Sequence, residues 1–467
     1  MASAANRDIR RGYGSKERPL TKTLWDRDTK SPSEAMKSAG NFEPDYRSID
    51  YARYYDPALA QKEAENLWSK RWLLAAREEE LPSVGDRLPI DIGSFSFMLI
   101  RSGPEEFKAF YNACMHRGTR LCEKSESGDR IRCPFHGWEW KLDGRLSRIP
   151  SHWDFVELTP ANSFLPEARI GRWGGFIFVN NDPDAPSLEA AMGPIPRHFE
   201  NFGAEKRYTQ ARFRKQIACN WKVAQEAFME AYHVPPVHPE GVPIYGDTQT
   251  QYDIWADGAA QVARLVTPSA IPSMHAPSDV SVLEAASITA IGIEAWRYPG
   301  TPLPKLDESA DLRAQIAQWH REAFRQSFGR QIDAPDSHMI DSIQYFMFPN
   351  SVFWLSEAFP LVYNFTPHRT DPEQCFFDVR LLVPIAEGQP RPPAAKAVEI
   401  GVDELVADKA IGFGGFGNVY DQDADMMARM QRGVRAARSG HSHLGMYQER
   451  IIQRWNELLD RDVYGAV

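Results

Sequence analysis

Apolar residues follow two different periods in the first 190 residues of the chain. In the 56–73 segment they recur at helical spacing behind an Asp-Pro start, which predicts an amphipathic helix. After Pro82 they come in short runs separated by glycines, which predicts a small antiparallel sheet domain that ends near residue 181. The following 182–186 stretch, Asp-Pro-Asp-Ala-Pro, predicts a boundary between domains.

Helical and strand-like patterns alternate in the rest of the chain, which predicts an α+β domain with an antiparallel sheet. Helical spacing marks 221–233 and 309–328, with Gly329 as a stop signal for the second helix. Strand-like runs occur at three places: 351–355, 361–366 and 375–384. Residues 1–45 have many charges and no sustained apolar period, which predicts a flexible N-terminal arm.

The composition excludes several classes of protein. The chain has 467 residues, with 54 Lys+Arg against 63 Asp+Glu and a net charge of −9. This acidic balance argues against nucleic acid as a partner, and no apolar run is long enough to span a membrane. Five cysteines in so long a chain are not a disulfide scaffold, so we expect a reducing compartment and a cytoplasmic protein.

Two of the five cysteines lie close to histidines. Cys114 and His116 share one short loop, and after sixteen residues Cys133 and His136 share another. Two thiolates and two imidazoles fit either a closed zinc site or a [2Fe–2S] cluster with two histidines on one iron. One Cys and one His per loop favours the cluster, because each loop then gives one ligand to each iron. The other three cysteines are expected to be small buried side chains: Cys122, Cys219 and Cys375.

A second group of metal-binding residue types follows the predicted 221–233 helix. At 100° per residue, Glu226, Glu230 and His233 share one face of that helix. A Pro-Pro pair at 235–236 ends the helix, so His238 returns from the next turn to meet His233. Two imidazoles and one carboxylate with open positions form the usual arrangement for non-haem iron(II) that binds dioxygen.

The carboxylate has to come from another part of the chain, and Asp423 is the best candidate. It lies on a predicted helix that begins near Asp421. That helix is expected to place three methionines on the same side: Met426, Met427 and Met430.

From about Tyr51 to its C-terminus the chain resembles the large (α) subunit of the Rieske non-haem iron aromatic-ring-hydroxylating oxygenases. The resemblance rests on the two Cys–His loops, on the Asn-Trp-Lys to His segment at 220–238, and on their order. It implies a cluster held by four residues: Cys114, His116, Cys133 and His136. It also implies a mononuclear Fe(II), with O2 as co-substrate, held by three residues: His233, His238 and Asp423.

The resemblance implies a small antiparallel β Rieske domain inserted into a helix-grip catalytic domain, an antiparallel sheet with a long helix. We therefore expect an arm at 1–45, an N-terminal helical part of the catalytic domain at 46–73, the Rieske domain at 74–182 and the mononuclear iron domain at 183–467. A substrate cavity is expected between sheet and helix, lined by residues such as Phe228, Met229, Val234 and Phe353.

The implied function is that of a terminal oxygenase, which inserts oxygen into an aromatic or polycyclic substrate by cis-dihydroxylation or monohydroxylation. Electrons would come from a ferredoxin or a flavin reductase, because the glycine-rich 412–417 segment lacks the preceding strand of a dinucleotide site. The implied assembly is a homotrimer, with or without a β subunit. Three alternatives stay open: an O- or N-demethylating Rieske monooxygenase, a Rieske-type electron-transfer protein, and a zinc-stabilised interaction protein.

Glu230 departs from the family pattern, which usually has Asp three positions before the first iron histidine. In that family the acid links a cluster histidine of one subunit to an iron histidine of the next. Glu230 is therefore expected to orient both imidazoles. For Glu226 two interpretations stay equal, a cavity acid and a salt-bridged acid at the cavity rim. Four arginines near the cluster are expected to form a docking patch for the electron donor: Arg117, Arg120, Arg145 and Arg148.

Overall fold

The computed structural model of the chain describes residues 20–40, 42–159 and 163–465. These residues form two compact units, each with its own sheets and buried core. The smaller unit comprises Gln61–Leu188 and His368–Thr370. The larger unit comprises Met1–Ala60, Glu189–Pro367 and Asp371–Val467, as far as these segments are described. Both units combine antiparallel sheet with helices or turns, which confirms the predicted α+β class.

Short strands build the smaller unit, as its glycine-separated apolar runs predict. Its nine strands are β1 Leu73–Arg77, β2 Arg87–Ile92, β3 Phe95–Arg101, β4 Phe107–Tyr111, β5 Ile131–Arg132, β6 Glu139–Trp140, β7 Leu146–Arg148, β8 Glu167–Trp173 and β9 Phe176–Asn180. Six of them form a sheet in the order β1-β9-β8-β4-β3-β2, and β5-β6-β7 form a second sheet. One apolar cluster that includes Phe110, Ile131 and Trp140 also contains Cys114 and Cys133, so both cysteines are fixed on the core.

The larger unit has one long sheet. Its strands are β10 Arg207–Ile217, β11 Gln251–Trp255, β12 Val262–Thr267, β13 Ser342–Met347, β14 Ser351–Trp354, β15 Leu361–Pro367, β16 Cys375–Pro384 and β17 Val398–Ile400. They lie in the order β11-β12-β13-β14-β15-β16-β10-β17, and every pair is antiparallel except β10 with β17. The sequence pattern predicted β14, β15 and β16 but not β11 and β12.

The α-helices of the described residues are mostly short, and three of them exceed fifteen residues. They are α1 Leu20–Trp25, α2 Glu34–Lys37, α3 Pro57–Glu63, α4 Leu188–Met192, α5 Ile195–His198, α6 Trp221–Glu226, α7 Val234–Val237, α8 Val282–Arg297, α9 Leu312–Phe328, α10 Asp336–Ile340, α11 Val406–Lys409, α12 Phe416–Ala436 and α13 Arg450–Leu459. Helix α9 ends at Gly329 with φ 67°, as predicted. Among the described residues no helix is both long enough and apolar enough to cross a membrane.

The long helix α12 begins at Phe416, five residues before the predicted start. Tyr420, Asp423 and Met427 are buried on its inner face. Of the three methionines expected on the side of Asp423, only Met427 is buried, whereas Met426 and Met430 are 41% and 43% exposed.

The predicted flexible arm at 1–45 is wrong for the part of it that is described. Helices α1 and α2 lie in this segment, and Trp25 and Met36 are buried. The fully buried guanidinium of Arg264 lies 5.1 Å from the Trp25 ring centre and donates to the Met36 carbonyl at 2.8 Å. A buried cation that needs these partners keeps the segment in place. Residues 1–19 lie outside the described residues.

The predicted 221–233 helix is also wrong in its second half. Asn220 caps α6, with its side chain accepting from the Lys222 N–H, but the helix ends at Glu226. Beyond that point side chains satisfy the backbone: the Ala231 N–H donates to the Tyr252 hydroxyl, and the His233 N–H donates to Glu230. These bonds replace the helical ladder. The Pro-Pro pair then lies in the first turn of α7, where proline needs no backbone N–H.

Candidate metal centres

Both Cys–His loops of the smaller unit have the same backbone geometry. In each loop the cysteine N–H donates to the carbonyl five residues later at 2.8 Å. A glycine N–H then donates back to the cysteine carbonyl, from Gly118 to Cys114 at 2.8 Å and from Gly137 to Cys133 at 3.1 Å. Both glycines have positive φ, 75° and 72°, a conformation that a side chain disfavours. The glycine in each motif is therefore required for the turn that presents its ligands.

The structure brings all four predicted cluster residues together. The ring centres of His116 and His136 lie 4.6 Å apart, and Cys114 and Cys133 are buried beside them. Trp138 stacks on the His116 ring at 5.0 Å with an angle of 3° between the planes. These four side chains can therefore face a single bound group.

The protonation behaviour of His116 and Cys133 fits metal ligation, whereas burial raises the pKa of Cys114. Burial lowers the pKa of His116, and its Nδ1 atom is buried without a hydrogen-bond partner among the described residues. Burial acts to raise the pKa of Cys133, but the backbone N–H groups of His136 and Phe135 outweigh it and the pKa is lowered. A neutral imidazole nitrogen without a partner and a stabilised thiolate are the ligand states a metal requires.

Asn112 holds the first loop closed, and sequence reasoning missed it. Its amide Nδ2 donates to the Cys122 carbonyl at 2.7 Å, and its Oδ1 accepts from the N–H groups of Leu121 and Cys122. The Cys122 thiol donates to a backbone carbonyl, and burial raises its pKa to about 11. Cys122 is therefore a protonated, buried side chain. Cys219 and Cys375 are also buried, and their sulfurs lie 3.9 Å apart.

In the larger unit His233, His238 and Asp423 meet from two elements. Their candidate ligand atoms all lie within 4.8 Å of one another. Asp423 Oδ1 is 2.9 Å from His238 Nε2 and 3.7 Å from His233 Nε2. Asp423 comes from the inner face of α12, and the two histidines flank α7. The donor set of two imidazoles and one carboxylate fits a divalent iron.

A second layer of hydrogen bonds fixes both imidazole rings. His233 Nδ1 lies 2.6 Å from Glu230 Oε1, and His238 Nδ1 lies 2.7 Å from Gln422 Oε1. An acceptor at each Nδ1 keeps the proton there and leaves each Nε2 directed at Asp423. The sequence predicted a role for Glu230 but not for Gln422. The signal for Gln422 is that it directly precedes the iron-ligand candidate Asp423 in the sequence.

The electrostatics of this group favour a bound cation. Burial acts to lower the pKa of His233, but the carboxylates of Glu230 and Asp423 outweigh it and the pKa is raised. The pKa of His238 is raised in the same way, because Asp423 and Gln422 outweigh its burial. Positive charge between these side chains is therefore stabilised, which supports a site for a metal cation.

A cavity of about 130 Å³ opens onto these three residues. Seven aromatic side chains line it: Phe228, Tyr245, Trp354, Phe359, Tyr363, Phe416 and Tyr420. Of the expected lining residues, Phe228 and Val234 are present, but Met229 and Phe353 are not. Phe353 precedes Trp354 on β14, and successive side chains of a strand point to opposite faces. Since Trp354 faces the cavity, Phe353 faces away from it.

Glu226 does not line this cavity, so the interpretation as a cavity acid is wrong. It accepts hydrogen bonds from the Tyr54 hydroxyl at 2.7 Å and from Asn456 Nδ2 at 3.1 Å. Burial raises its pKa to about 7. Glu226 therefore ties α6 to α13 and to the turn that contains Tyr54.

Two family models match the chain. "Ring hydroxylating alpha subunit (catalytic domain)" matches residues 199–464, and "Rieske [2Fe-2S] domain" matches residues 71–159. The carnitine monooxygenase oxygenase subunit of Escherichia coli (strain K12) is 31% identical over 192 residues, 40% of this chain and 51% of that protein. The large subunit of anthranilate 1,2-dioxygenase from Acinetobacter baylyi is 31% identical over 193 residues, 40% of this chain and 41% of that protein. The chain thus spans about half the length of the curated relatives it matches.

Among solved structures, a quaternary ammonium Rieske monooxygenase matches with a TM-score of 0.62 at 18% identity. The match covers 90% of this chain and 96% of that one. At this identity the likeness concerns the fold alone.

Proposed function

Because this chain belongs to the ring-hydroxylating α-subunit family of Rieske oxygenases, as its motifs predict, we propose that it is a terminal oxygenase component. Its reaction is the insertion of oxygen from O2 into an aromatic or polycyclic substrate, by cis-dihydroxylation or monohydroxylation. When bound, the [2Fe–2S] cluster supplies one-electron transfer and the mononuclear iron supplies activation of O2. The observation that supports this most directly is the His233, His238 and Asp423 group at an aromatic cavity.

We assign the ligands residue by residue. Cys114, His116, Cys133 and His136 hold the cluster, and His233, His238 and Asp423 hold the iron. Glu230 and Gln422 keep the iron histidines in one tautomer. The match to the Rieske [2Fe–2S] domain favours the cluster over the zinc site that two cysteines and two histidines also allow.

The cavity wall supports an aromatic substrate. Its apolar surface comes mainly from aromatic rings, such as Trp354 and Phe359 with ring centres 5.5 Å apart. Rings of this kind hold a flat apolar molecule by offset or edge contacts and exclude water from the site. The described lining residues include no lysine or arginine, so a substrate carboxylate would have no cationic partner there.

A second candidate is oxidation of a quaternary amine, which would make the protein an N-demethylating monooxygenase. The carnitine monooxygenase relative favours it, and so does the chemistry of the wall, because aromatic faces also bind quaternary ammonium ions. The same wall argues against a zwitterion such as carnitine, whose carboxylate would remain unpaired in the cavity.

We further propose that Glu230 links neighbouring subunits of a homotrimer. Its Oε1 and Oε2 atoms each accept one hydrogen bond from His233, at 2.6 and 2.9 Å. An ionised carboxylate accepts about four hydrogen bonds, so Glu230 retains capacity for an N–H of a cluster histidine from a second copy. Glu has one methylene more than Asp, and with this length the Glu230 carboxylate reaches His233 of the same subunit.

For the electron donor we propose the exposed side of the cluster loops. Phe135 is 61% exposed beside His136, and Arg117 lies 5.8 Å from the Phe135 ring centre. The remaining arginines of the expected patch have acidic neighbours: Arg120 has Asp91, Arg145 has Asp143 and Arg148 has Glu139. Docking of a ferredoxin or flavin reductase would therefore depend on Arg117 and apolar contact more than on a basic patch.

The test supplies electrons from a purified ferredoxin and flavin reductase to the full chain under 18O2, with naphthalene, L-carnitine or neither. We expect labelled naphthalene products and none from carnitine. Product from carnitine alone would establish the quaternary amine candidate. Reduction of the cluster without labelled product from any aromatic substrate would refute the oxygenase proposal in favour of an electron-transfer protein.

A further inference from the structure

The sheet wall of the cavity has a row of polar side chains that the iron site does not use. Ser342 and Gln344 are two residues apart on β13 and therefore face the same side. Gln344 pairs directly with Trp354 on β14, and Ser342 pairs with Thr267 on β12. All four side chains line the cavity. This wall is therefore not uniformly apolar.

Two atoms in this row have no hydrogen-bond partner. Gln344 is buried, and its Oε1 has no partner among the described residues, while its Nε2 donates to Ser342 Oγ at 3.3 Å. If the amide group were rotated by 180°, Oε1 would face Ser342 and Nε2 would be the unpaired atom instead. The indole Nε1–H of Trp354 is buried and equally unpaired within the described chain. Thr267 differs, because its hydroxyl is already bonded to that of Thr250 at 2.9 Å.

Buried polar groups of folded proteins are nearly always hydrogen-bonded, so each exception needs a reason. Here the two exceptions are an acceptor and a donor on directly paired strand residues. Side chains in such a pair begin about 4.5–5.5 Å apart at their Cβ atoms. Since both residues also line the cavity, a small group bound against this part of the wall lies next to both side chains.

We propose that Gln344 and Trp354 form a subsite for one hydroxyl group of the substrate. The hydroxyl donates to Gln344 Oε1 and accepts from Trp354 Nε1, so a single uncharged group satisfies both atoms. The preferred substrate is then a hydroxylated aromatic compound rather than a plain hydrocarbon or an aromatic acid. This inference rests on the proposed oxygenase function and names its substrate class.

The subsite determines specificity and orientation, and it takes no part in the reaction. A site built to bond a hydroxyl rejects an analogue without it, because the site's own polar groups then stay unpaired. A charged carboxylate fits poorly, since no described lining residue is Lys or Arg. Holding the hydroxyl on the sheet wall would fix which ring edge turns toward the His233 side of the cavity.

The test measures binding without turnover. Anaerobic calorimetric titration of the iron- and cluster-loaded full chain uses naphthalene, 2-naphthol and 2-naphthoate. We expect 2-naphthol to bind at least about tenfold more tightly than either of the others. In Gln344→Met, which keeps the size of the side chain, the preference for 2-naphthol over naphthalene should disappear while naphthalene affinity stays within about twofold.

Trp354→Phe provides an independent variant, and Thr267→Val is the matched control. Trp354→Phe should weaken the binding of 2-naphthol but not that of naphthalene. Thr267→Val should preserve the ratio of the two affinities, because the Thr267 hydroxyl is already bonded to Thr250. Visible absorption of the cluster checks that each variant is folded. Equal affinity of the parent for naphthalene and 2-naphthol, tighter binding of 2-naphthoate, or a preference that survives both variants would overturn the inference.

Turnover of the same ligands under 18O2 separates this inference from the proposed function. If both naphthalene and 2-naphthol are oxygenated with a KM ratio that Gln344→Met does not change, the subsite is refuted and the oxygenase stands. If 2-naphthol binds selectively but no substrate is oxygenated, the oxygenase is refuted and the subsite stands. If neither compound binds, the subsite is refuted directly.

Discussion

Removing the acceptor behind His238 should weaken the iron site without altering its three ligands. Gln422 Oε1 lies 2.7 Å from His238 Nδ1; His238 is buried and Gln422 is half-buried. In Gln422→Met the side chain keeps its length but cannot accept a strong hydrogen bond. The Nδ1–H group then has no partner, and the ring is free to turn or to change tautomer.

The expected loss follows from that single hydrogen bond. Leaving a buried donor unpaired costs about 1–3 kcal/mol, and loss of such an outer partner typically lowers metal affinity about 10–100-fold. At about 1.4 kcal/mol per factor of ten these two figures agree. We therefore expect the dissociation constant for Fe(II) to rise by about one to two orders of magnitude.

The assay removes the mononuclear iron with a chelator and titrates Fe(II) back anaerobically against a competing chelator. Visible absorption of the cluster serves as an internal check that the fold is intact. Gln422→Glu, which restores an acceptor, should recover the parent affinity. Asp425→Asn is the control, because Asp425 is exposed on the same helix and pairs with Arg429 at 2.7 Å. If the dissociation constant of Gln422→Met for Fe(II) lies within about twofold of the parent value, this role for Gln422 is refuted.

Three further predictions concern other buried groups. Glu230→Gln should leave both metal sites filled and substrate bound but abolish coupled turnover. Metal analysis with product yield per electron tests this, and near-normal yield would contradict it. Burial raises the pKa of Glu226 from its usual 4.5 to about 7, so the native state binds an extra proton between these values and loses up to about 3 kcal/mol as pH rises. In Glu226→Gln the urea midpoint of unfolding should therefore decrease less steeply between pH 4.5 and 7. A slope equal to that of the parent would mean that another group causes the decrease. Arg264→Met should lower stability by about 3–5 kcal/mol, because it leaves Asp253 buried without its cation. It should also expose the segment around Trp25 to proteolysis, and a protease-resistant variant of parental stability would contradict the packing argument.

Local patterns predicted the parts of the site that depend on short stretches of chain. The two Cys–His loops each need only five or six consecutive residues, including the glycine that permits the turn. The 309–328 helix and strands β14 to β16 also follow from spacing, since each forms a regular element with one period. Asp423 was found because a carboxylate had to complete the two histidines.

Two of the failures have one cause, which is side-chain contacts that spacing does not show. The 221–233 segment has helical spacing, but Tyr252 and Glu230 take over its backbone N–H groups after Glu226. The N-terminal segment lacks any apolar period of its own, yet Arg264 and its neighbours bury Trp25. Gln422 and Asn112 act through hydrogen bonds to residues that spacing alone does not bring near.

The sequence by itself determined which chemical groups the protein has and in which loops they occur, because ligand type and turn geometry are local properties. Tertiary structure alone decided which imidazole nitrogen faces Asp423, which residues line the cavity, and that Gln344 Oε1 and Trp354 Nε1 there have no hydrogen-bond partner among the described residues. These outcomes depend on strand pairing and on hydrogen bonds between residues far apart in the chain. Such contacts have free energies comparable to local helix propensity, so the chain order does not reveal which of them prevail.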